Sequence, residues 1–229
     1  MDELIEKYDL CRFVQDTSEL NDKIHVNDVN YKQRDIRIEF QVPSEYESQI
    51  QELAYSLCIF LVGKLYNMAR IPMKLVGIGR RYESSTYFDS IGLFIDYIPV
   101  LLDYTEEYSK NVMDIVSEKV NYSATHNINF STLAYEKLVD FSKASKMIQN
   151  SISKGGVVFN FQNQVVAQRY YETDSEDAIG KAYLQNVNFV ACAIDNRLSL
   201  NISLIHFKSE TEICCMIEDY LNQLKANKK

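Results

Sequence analysis

An α/β fold is predicted from three features of the amino-acid sequence. Segments such as 34–41 and 197–207 alternate apolar and polar residues, which is the period of a β-strand with one buried face. Segments such as 50–68 and 209–224 repeat apolar residues every three to four positions, which is the period of a helix packed on a core. The last strands follow one another through a short turn. The sequence therefore predicts a mixed, mostly antiparallel sheet with helices packed against it.

The composition limits the classes of function. The chain has 229 residues, of which 46% are hydrophobic and 24% are charged, so it can bury a globular core. A net charge of −8 argues against binding to nucleic acid or to an anionic membrane, because both require clustered Lys and Arg. The longest apolar stretch, 53–62, is about half the ~20 residues that a membrane span needs. The acidic start MDELIEKYDL and the irregularly spaced cysteines favour a cytoplasmic protein with reduced thiols.

The elements of the first half are predicted in chain order. Residues 1–33 are interpreted as a connecting segment, with a short helix near 2–11 and an irregular remainder, and residues 34–229 as one domain. After the strand at 34–41, Ser44 and Glu47 have the spacing of a capping box at the start of a long helix. Arg70-Ile71-Pro72 is predicted to end that helix, before a buried strand at 73–78. The apolar face of the helix would consist of Ile50, Leu53, Ala54, Leu57, Leu61, Leu65 and Met68.

The second half is predicted to contain further strands and helices. A strand at 94–102 carries Pro99 near an edge or bulge, and a helix that starts after Thr105 has an apolar stripe. A hairpin is predicted to turn at Asp195-Asn196. Ser209 begins the last helix as its cap. The apolar stripe of the helix that starts after Thr105 consists of Val112, Ile115, Val116 and Val120. The other predicted segments are a helix at 131–150, strands at 157–161 and 164–170, and the two hairpin arms at 187–194 and 197–207.

The residues by themselves identify no catalytic centre. None of the three histidines accompanies a Gly-x-Ser-x-Gly elbow, and the cysteines and histidines do not form a metal-ligand pattern. The Gly77-x-Gly79 turn lacks the further residues of a phosphate-binding loop. Asn160 interrupts an apolar run, so it either bridges neighbouring strands or faces a cleft. We predict no catalytic or metal-binding residue in this chain.

Several segments, in order, nevertheless resemble the C-terminal lobe of the condensation domains of nonribosomal peptide synthetases. One is Gly79-Arg80 after a strand, similar to a Gly-Arg strand end in that family. Another is Ile91 to Val100, similar to VGxFxNTxPxR, although Asp96 stands where Asn is usual and Leu101 where a basic residue is common. Residues 122–130 resemble a third motif, and Val157-Val158-Phe159-Asn160-Phe161-Gln162-Asn163 resembles vmFxfqN. The resemblance covers about residues 34–224.

This resemblance implies a chloramphenicol-acetyltransferase-like two-layer sandwich lobe with helices on one face of the sheet. In that family two lobes enclose a tunnel that carrier-bound thioesters enter from both ends. Gly79, Arg80, Asn160 and Asn163 would line the tunnel. The implied partners are the N-terminal lobe of the same domain and an aminoacyl or peptidyl carrier protein. The implied cofactor is the phosphopantetheine of that carrier, with none bound directly by this chain.

The sequence also departs from the family pattern. The signature His-His-x-x-x-Asp-Gly is absent, so we expect this chain alone to form no amide bond. A docking module for a carrier protein or a neighbouring domain is one alternative. A fragment of an epimerization domain is the other, although Val76 and Ile78 occupy the EGHGR motif that would supply its glutamate, and Phe161 replaces a tyrosine.

Overall fold

A computed structural model describes residues 10–25, 33–78, 95–104, 111–126, 156–162, 187–205 and 209–226. These residues form one six-stranded sheet in the order β1-β6-β5-β4-β2-β3. Three of the neighbouring pairs are antiparallel, whereas β4 runs parallel to both β2 and β5. The predicted mixed, mostly antiparallel sheet is therefore confirmed. The strands are β1 (Gln33–Gln41), β2 (Arg70–Ile78), β3 (Ile95–Asp103), β4 (Val157–Gln162), β5 (Val187–Ile194) and β6 (Arg197–Ile205).

Four α-helices accompany the sheet within the same residues. They are α1 (Leu10–His25), α2 (Ile50–Tyr66), α3 (Asn111–His126) and α4 (Glu210–Ala226). A 3-10 helix at Ser44–Gln49 leads into α2. No helix in the described part of the chain is both long enough and apolar enough to cross a membrane.

The hydrophobic core lies between α2 and one face of the sheet. Every residue of α2 from Leu53 to Gly63 is buried. The ring of Tyr55 lies 4.5 Å from that of Phe159 on β4, and the ring of Phe60 lies 4.6 Å from that of Tyr220 on α4. Helix α2 thus joins the sheet to the last helix, and a helix that is apolar on all sides belongs in such a position.

Three predictions about α2 were wrong. The helix is not amphipathic, because its whole circumference is enclosed. Ser44 does not cap it, since the Ser44 hydroxyl bonds the side chain of Glu45 and a 3-10 turn precedes the helix. The helix ends at Tyr66 with Asn67 in the left-handed conformation (φ 49°), and the residues predicted to stop it begin β2 instead. Pro72 is compatible with β2 because pairing with β4 begins only at Met73.

The segment before β1 that was predicted to be irregular contains the helix α1, which is a further error. Residues 2–9 of the short helix predicted near 2–11 lie outside the described residues. Helix α1 buries Phe13, Leu20 and Ile24, which are seven and four residues apart and therefore lie on one face of the helix. The helix contacts β2 and β3, and Asp16 on α1 bonds the side chain of Arg70 on β2. Arg70 and Lys74 alternate along β2 with the core residue Met73, so the part of α1 around Asp16 lies against the side of β2 opposite to Met73. Leu20 and Ile24, later in α1, belong to the same hydrophobic core as α2.

The C-terminal elements confirm their predictions. Asp195 and Asn196 both have positive φ values, 46° and 60°, as a tight two-residue hairpin turn requires. Ser209 caps α4, with its hydroxyl oxygen accepting the Glu212 N–H at 3.2 Å. The predicted apolar residues of α4 are all buried, namely Ile213, Met216, Ile217, Tyr220, Leu221 and Leu224.

Helix α3 agrees with its predicted stripe only in part. Val112 and Val116 are buried, but Ile115 is 42% exposed. A one-residue offset rotates Ile115 by about 100° from Val116, which is enough to place it outside the contact with α2 and β3. The predicted helix at 131–150 and the predicted strand at 164–170 lie outside the described residues.

Candidate functional site

Asn160 is the one predicted site residue that the structure describes. It lies near the C-terminal end of β4, and its side chain is half-buried. Its direct partner on β5 is Val190, which offers no side-chain hydrogen bond to the Asn160 amide. Gly79, Arg80 and Asn163 lie outside the described residues.

The strands that precede those three residues are parallel neighbours. The last paired residues of β2 and β4 are Leu75 and Phe159. Each strand continues three residues further, to Ile78 and to Gln162. The C-terminal ends of both strands therefore lie at the same end of the sheet. Gly79 and Asn163 are the next residues in the sequence.

Polar residues populate the sheet side that does not face α2. We name the set Arg37, Asn160, Asn188, Asn201 and Ser203 the polar sheet face. The register aligns Asn160, Val190, Asn201 and Arg37 in one row across four strands. The three asparagines and Ser203 are half-buried. Amides and a hydroxyl can donate and accept hydrogen bonds, so this face can orient a polar ligand, but these groups do not exchange protons near neutral pH.

Lys74 is a buried cation on β2. It lies in the predicted buried strand at 73–78 but was not among the predicted site residues. Its exposed fraction is 2%. A Cβ atom placed on Gly156, which has φ +96°, would lie 3.2 Å from Lys74 Cε, 3.5 Å from its Nζ and 3.6 Å from Thr17 Cγ2. The Lys74 side chain is therefore enclosed between α1 and the start of β4. A lysine between Met73 and Leu75 in an apolar strand was the signal in the sequence.

Burial controls the protonation of Lys74. Desolvation lowers the pKa of its amine from 10.5 to about 7. A lysine tuned in this way can exchange protons near neutral pH, which is a property of some catalytic amines. Lys74 is shielded from solvent, however, so its direct consequence in this fold is for stability.

An ion pair on the same side of β2 as Lys74 joins α1 to β2. Asp16 accepts hydrogen bonds from Arg70 Nε at 2.8 Å and from Arg70 Nη2 at 3.1 Å. The Asp16 side chain is 4% exposed and the Arg70 side chain is 37% exposed. This two-point contact orients the helix, because it fixes both the distance and the rotation of the guanidinium.

Three of the described cysteines have a thiol pKa raised above its ordinary value. Burial raises the pKa of Cys58 well above its ordinary value, and burial followed by the charge of Glu39 raises the pKa of Cys192. For Cys214, burial and then neighbouring glutamates raise the pKa in the same way. No group of His, Cys, Asp or Glu in these residues could hold a metal ion.

Comparison with known proteins gives a fold but no sequence family. No family model matches the chain, and no curated protein matches it. Solved structures do match. One is a four-domain nonribosomal peptide synthetase bound to AMP and glycine, with a TM-score of 0.52, 13% identity, and 93% of this chain and 19% of that chain covered.

Two shorter structures match in the same way. A structure concerning condensation domain-mediated chain release from the enacyloxin polyketide synthase has a TM-score of 0.51 and 12% identity, with 84% of this chain and 41% of that chain covered. The SgcC5 protein from Streptomyces globisporus has a TM-score of 0.50 and 15% identity, with 93% of this chain and 55% of that chain covered. The chain thus spans about half the length of these two proteins. Its fold is the mixed α/β sandwich of the condensation-domain structures, matched over about half of their extent.

Proposed function

We propose that this chain is the C-terminal-lobe half of a condensation domain, which forms amide bonds between carrier-bound aminoacyl or peptidyl thioesters in nonribosomal peptide synthesis. The observation that carries the proposal is a match over 84% of this chain to a protein of which it covers 41%. The order of the family-like motifs along the sequence agrees with this.

The chain would supply one wall of the reaction channel and not its chemistry. Amide formation needs a base for the attacking amine and groups that stabilise the tetrahedral intermediate. The polar sheet face contains amide side chains, which orient but do not deprotonate. We therefore assign proton handling to the N-terminal lobe, which would carry the His-His-x-x-x-Asp-Gly signature.

The channel wall is assigned to the shared end of β2 and β4. Asn160 stands two residues before the end of β4, on the half-exposed side of the sheet. Gly79, Arg80 and Asn163 follow these strand ends in the sequence and are assigned to the same wall. The phosphopantetheine arm of a carrier protein, an extended chain with two amide bonds, is the group that such amide side chains would orient.

A two-step assay tests this function. The purified chain is incubated with donor and acceptor carrier proteins loaded with aminoacyl thioesters, and products are measured by mass spectrometry. We expect no amide product from the chain alone. Adding a separately expressed N-terminal lobe that carries the histidine signature should produce the amide, and replacing its second histidine with alanine should abolish it.

Two variants separate a channel role from a structural one. Asn160→Ala should lower the turnover of the reconstituted enzyme. Asn222→Ala is the matched control, because Asn222 is the same residue type but is exposed on α4 and outside the polar sheet face, so turnover should stay unchanged. Turnover by the chain alone that a substitution within it abolishes would refute the proposal. Carrier binding without turnover after the lobe is added would favour the docking module instead, and exchange of a substrate α-proton would favour the epimerization alternative.

A further inference from the structure

The two edges of the sheet differ in their ability to accept another strand. Strands β1 and β3 are the edges, and within the described residues β6 alone pairs with β1 and β2 alone pairs with β3. An edge strand presents main-chain N–H and C=O groups that can pair with a further strand.

The β3 edge is blocked. Lys119 Nζ on α3 donates a hydrogen bond to the Leu101 carbonyl at 2.8 Å. Pro99, two residues earlier on β3, has no N–H. Residues two apart on a strand direct their main-chain groups to the same side, so both obstacles fall on one side of β3. A strand added there would lose hydrogen bonds at two consecutive positions.

The β1 edge has opposite charges instead of such obstacles. Residues Gln33–Gln41 contain Arg34 and Arg37 together with Asp35 and Glu39, so this strand is neutral within a chain of net charge −8. The side chains of Arg37 and Glu39 are 52% and 44% exposed and form an ion pair along the strand. Half-exposed charges of both signs can also face charges of opposite sign on a neighbouring strand.

The order of residues in β1 favours pairing with a second β1 in one register. In an antiparallel pair related by a two-fold axis, a register centred on Ile38 places Arg37 of each copy opposite Glu39 of the other. It also places Ile36 opposite Phe40 on the core side. A register centred on Arg37 would oppose Arg37 to itself and Asp35 to Glu39, which are like charges.

The other centred registers are less favourable. A register centred on Glu39 would oppose two glutamates. One centred on Ile36 would pair Asp35 with Arg37 but would place Arg34 opposite Ile38, a charged residue against an apolar one. The Ile38-centred register is the most favourable of these, since it pairs Arg37 with Glu39 and Ile36 with Phe40 within β1, and its one mismatch, Arg34 opposite Val42, falls beyond the end of the strand.

We propose that β1 is a self-association surface, through which a second copy of this chain pairs antiparallel about Ile38 and continues the sheet into the partner. The contact is one strand wide, so it belongs to the small, transient class of interfaces and should form at micromolar rather than nanomolar concentrations. This inference is independent of the proposed function, because it uses the outer edge of β1 and neither the strand ends of β2 and β4 nor any catalytic group.

A mixing experiment with two charge-reversed variants of the full chain tests the proposal. A homodimer of Arg37→Glu would place the introduced glutamate of each copy opposite Glu39 of the other. A homodimer of Glu39→Arg would likewise place the introduced arginine opposite Arg37. Each variant alone should show a dimer dissociation constant raised roughly tenfold or more in sedimentation velocity, because like charges lie directly opposite. An equimolar mixture should recover dimerisation, since the two charge patterns complement each other across the interface.

The mixture separates contact between copies from the ion pair within one strand. Neither variant regains its own Arg37–Glu39 pair on mixing, so recovery requires contact between copies. Asp35→Asn is the matched control: it removes a charge from the same face of the strand, but the Ile38-centred register places Asp35 opposite the neutral Gln41. Its dimerisation should stay within about twofold of wild type.

Each possible result decides whether two copies of the chain pair through β1. Dimerisation of the wild type, weakening in both single variants and recovery in the mixture support the pairing. A wild-type chain that is monomeric throughout the micromolar range overturns the proposal. A mixture of the two variants that remains monomeric while the wild type dimerises also overturns it. The same holds if Asp35→Asn weakens dimerisation and Glu39→Arg does not. Circular dichroism of each variant verifies that the fold is retained.

Discussion

Replacing Lys74 with methionine should remove a rise in stability that the wild-type chain shows between pH 7 and pH 10. In the folded state burial lowers the pKa of this amine to about 7, against an ordinary value of 10.5. Between these values the unfolded chain binds a proton that the folded chain does not, so the free energy of unfolding increases with pH. Below pH 7 both states are protonated, and the contribution stops changing.

The size of the effect follows from the shift in pKa. Each unit corresponds to 1.36 kcal/mol, and integration between pH 7 and pH 10 gives about 3.5 kcal/mol for this one group. Because Lys74 is only 2% exposed, solvent screening does not reduce this value much. The value is an upper bound, because a compact unfolded chain also desolvates part of its lysines.

Urea denaturation at pH 7, 8, 9 and 10 measures the effect as the difference between Lys74→Met and wild type. Taking the difference removes the contributions of all other ionisable groups, because these groups are the same in both proteins. Lys225→Met is the matched control, because Lys225 is exposed on α4. It should keep the pH dependence of the wild type.

One result would refute the reasoning about Lys74. Suppose that the free energies of unfolding of wild type and Lys74→Met change in parallel from pH 7 to pH 10. The Lys74 amine is then protonated in the folded state throughout this range, and its surroundings are more polar than its enclosure by α1 and β4 indicates. A difference in the free energy of unfolding that is the same at every pH would not support the reasoning. It would report the lost contacts of the side chain and not its titration.

Three further substitutions test a close packing contact, a helix cap and a hairpin turn. Gly63→Ala should lower the free energy of unfolding by about 2 kcal/mol or more in denaturant titrations, because its Cβ would overlap the Tyr104 ring; an unchanged midpoint would contradict this close packing. Ser209→Ala should cost about 1 kcal/mol through loss of the cap on the Glu212 N–H, whereas Ser209→Asp should retain most of it. Asn196→Ala should cost about 1 kcal/mol because its φ is 60°, with Asn196→Gly as the neutral control; equal stability of the two variants would argue against the left-handed turn.

The parts of the fold that could be predicted are those whose pattern is local. The β5–β6 hairpin is encoded by two turn residues, Asp195 and Asn196, between two alternating strands. Helix α4 is encoded by a capping serine and one apolar face. In each case the residues that determine the element are close in sequence, so the pattern is visible without knowledge of the packing.

The elements that were mispredicted depend on packing between distant segments. Helix α2 is covered by the sheet and by α4, so Tyr55 and Phe60 are buried on sides that an amphipathic pattern assigns to solvent. Helix α1 has mixed charges, and its place becomes evident only when Asp16 meets Arg70, 54 residues later in the chain. Periodicity in one segment does not contain that information.

The candidate site divides in the same way. Asn160 could be named as a candidate from the sequence because an amide within an apolar strand requires a hydrogen-bonding explanation, and its role in a site stays a prediction. Its row on the polar sheet face required the register of four strands. Lys74 lies within the predicted buried strand at 73–78 and was not singled out there, because only the packing of α1 and Gly156 against it shows that the cation is enclosed.

The position of the core explains why stability and function can be tested separately in this chain. The core lies between α2, α4 and one side of the sheet, whereas Asn160 and the β1 edge lie at its periphery. Substitutions at Gly63 or Lys74 should therefore change the free energy of unfolding. If the proposed function is correct, Asn160→Ala should change the turnover of the reconstituted enzyme, and Arg37→Glu should change self-association, each with little effect on unfolding. If Asn160→Ala lowered the unfolding midpoint as much as Gly63→Ala, a loss of turnover could not be assigned to a channel wall, and Asn160 would have to be reinterpreted as a structural link between strands.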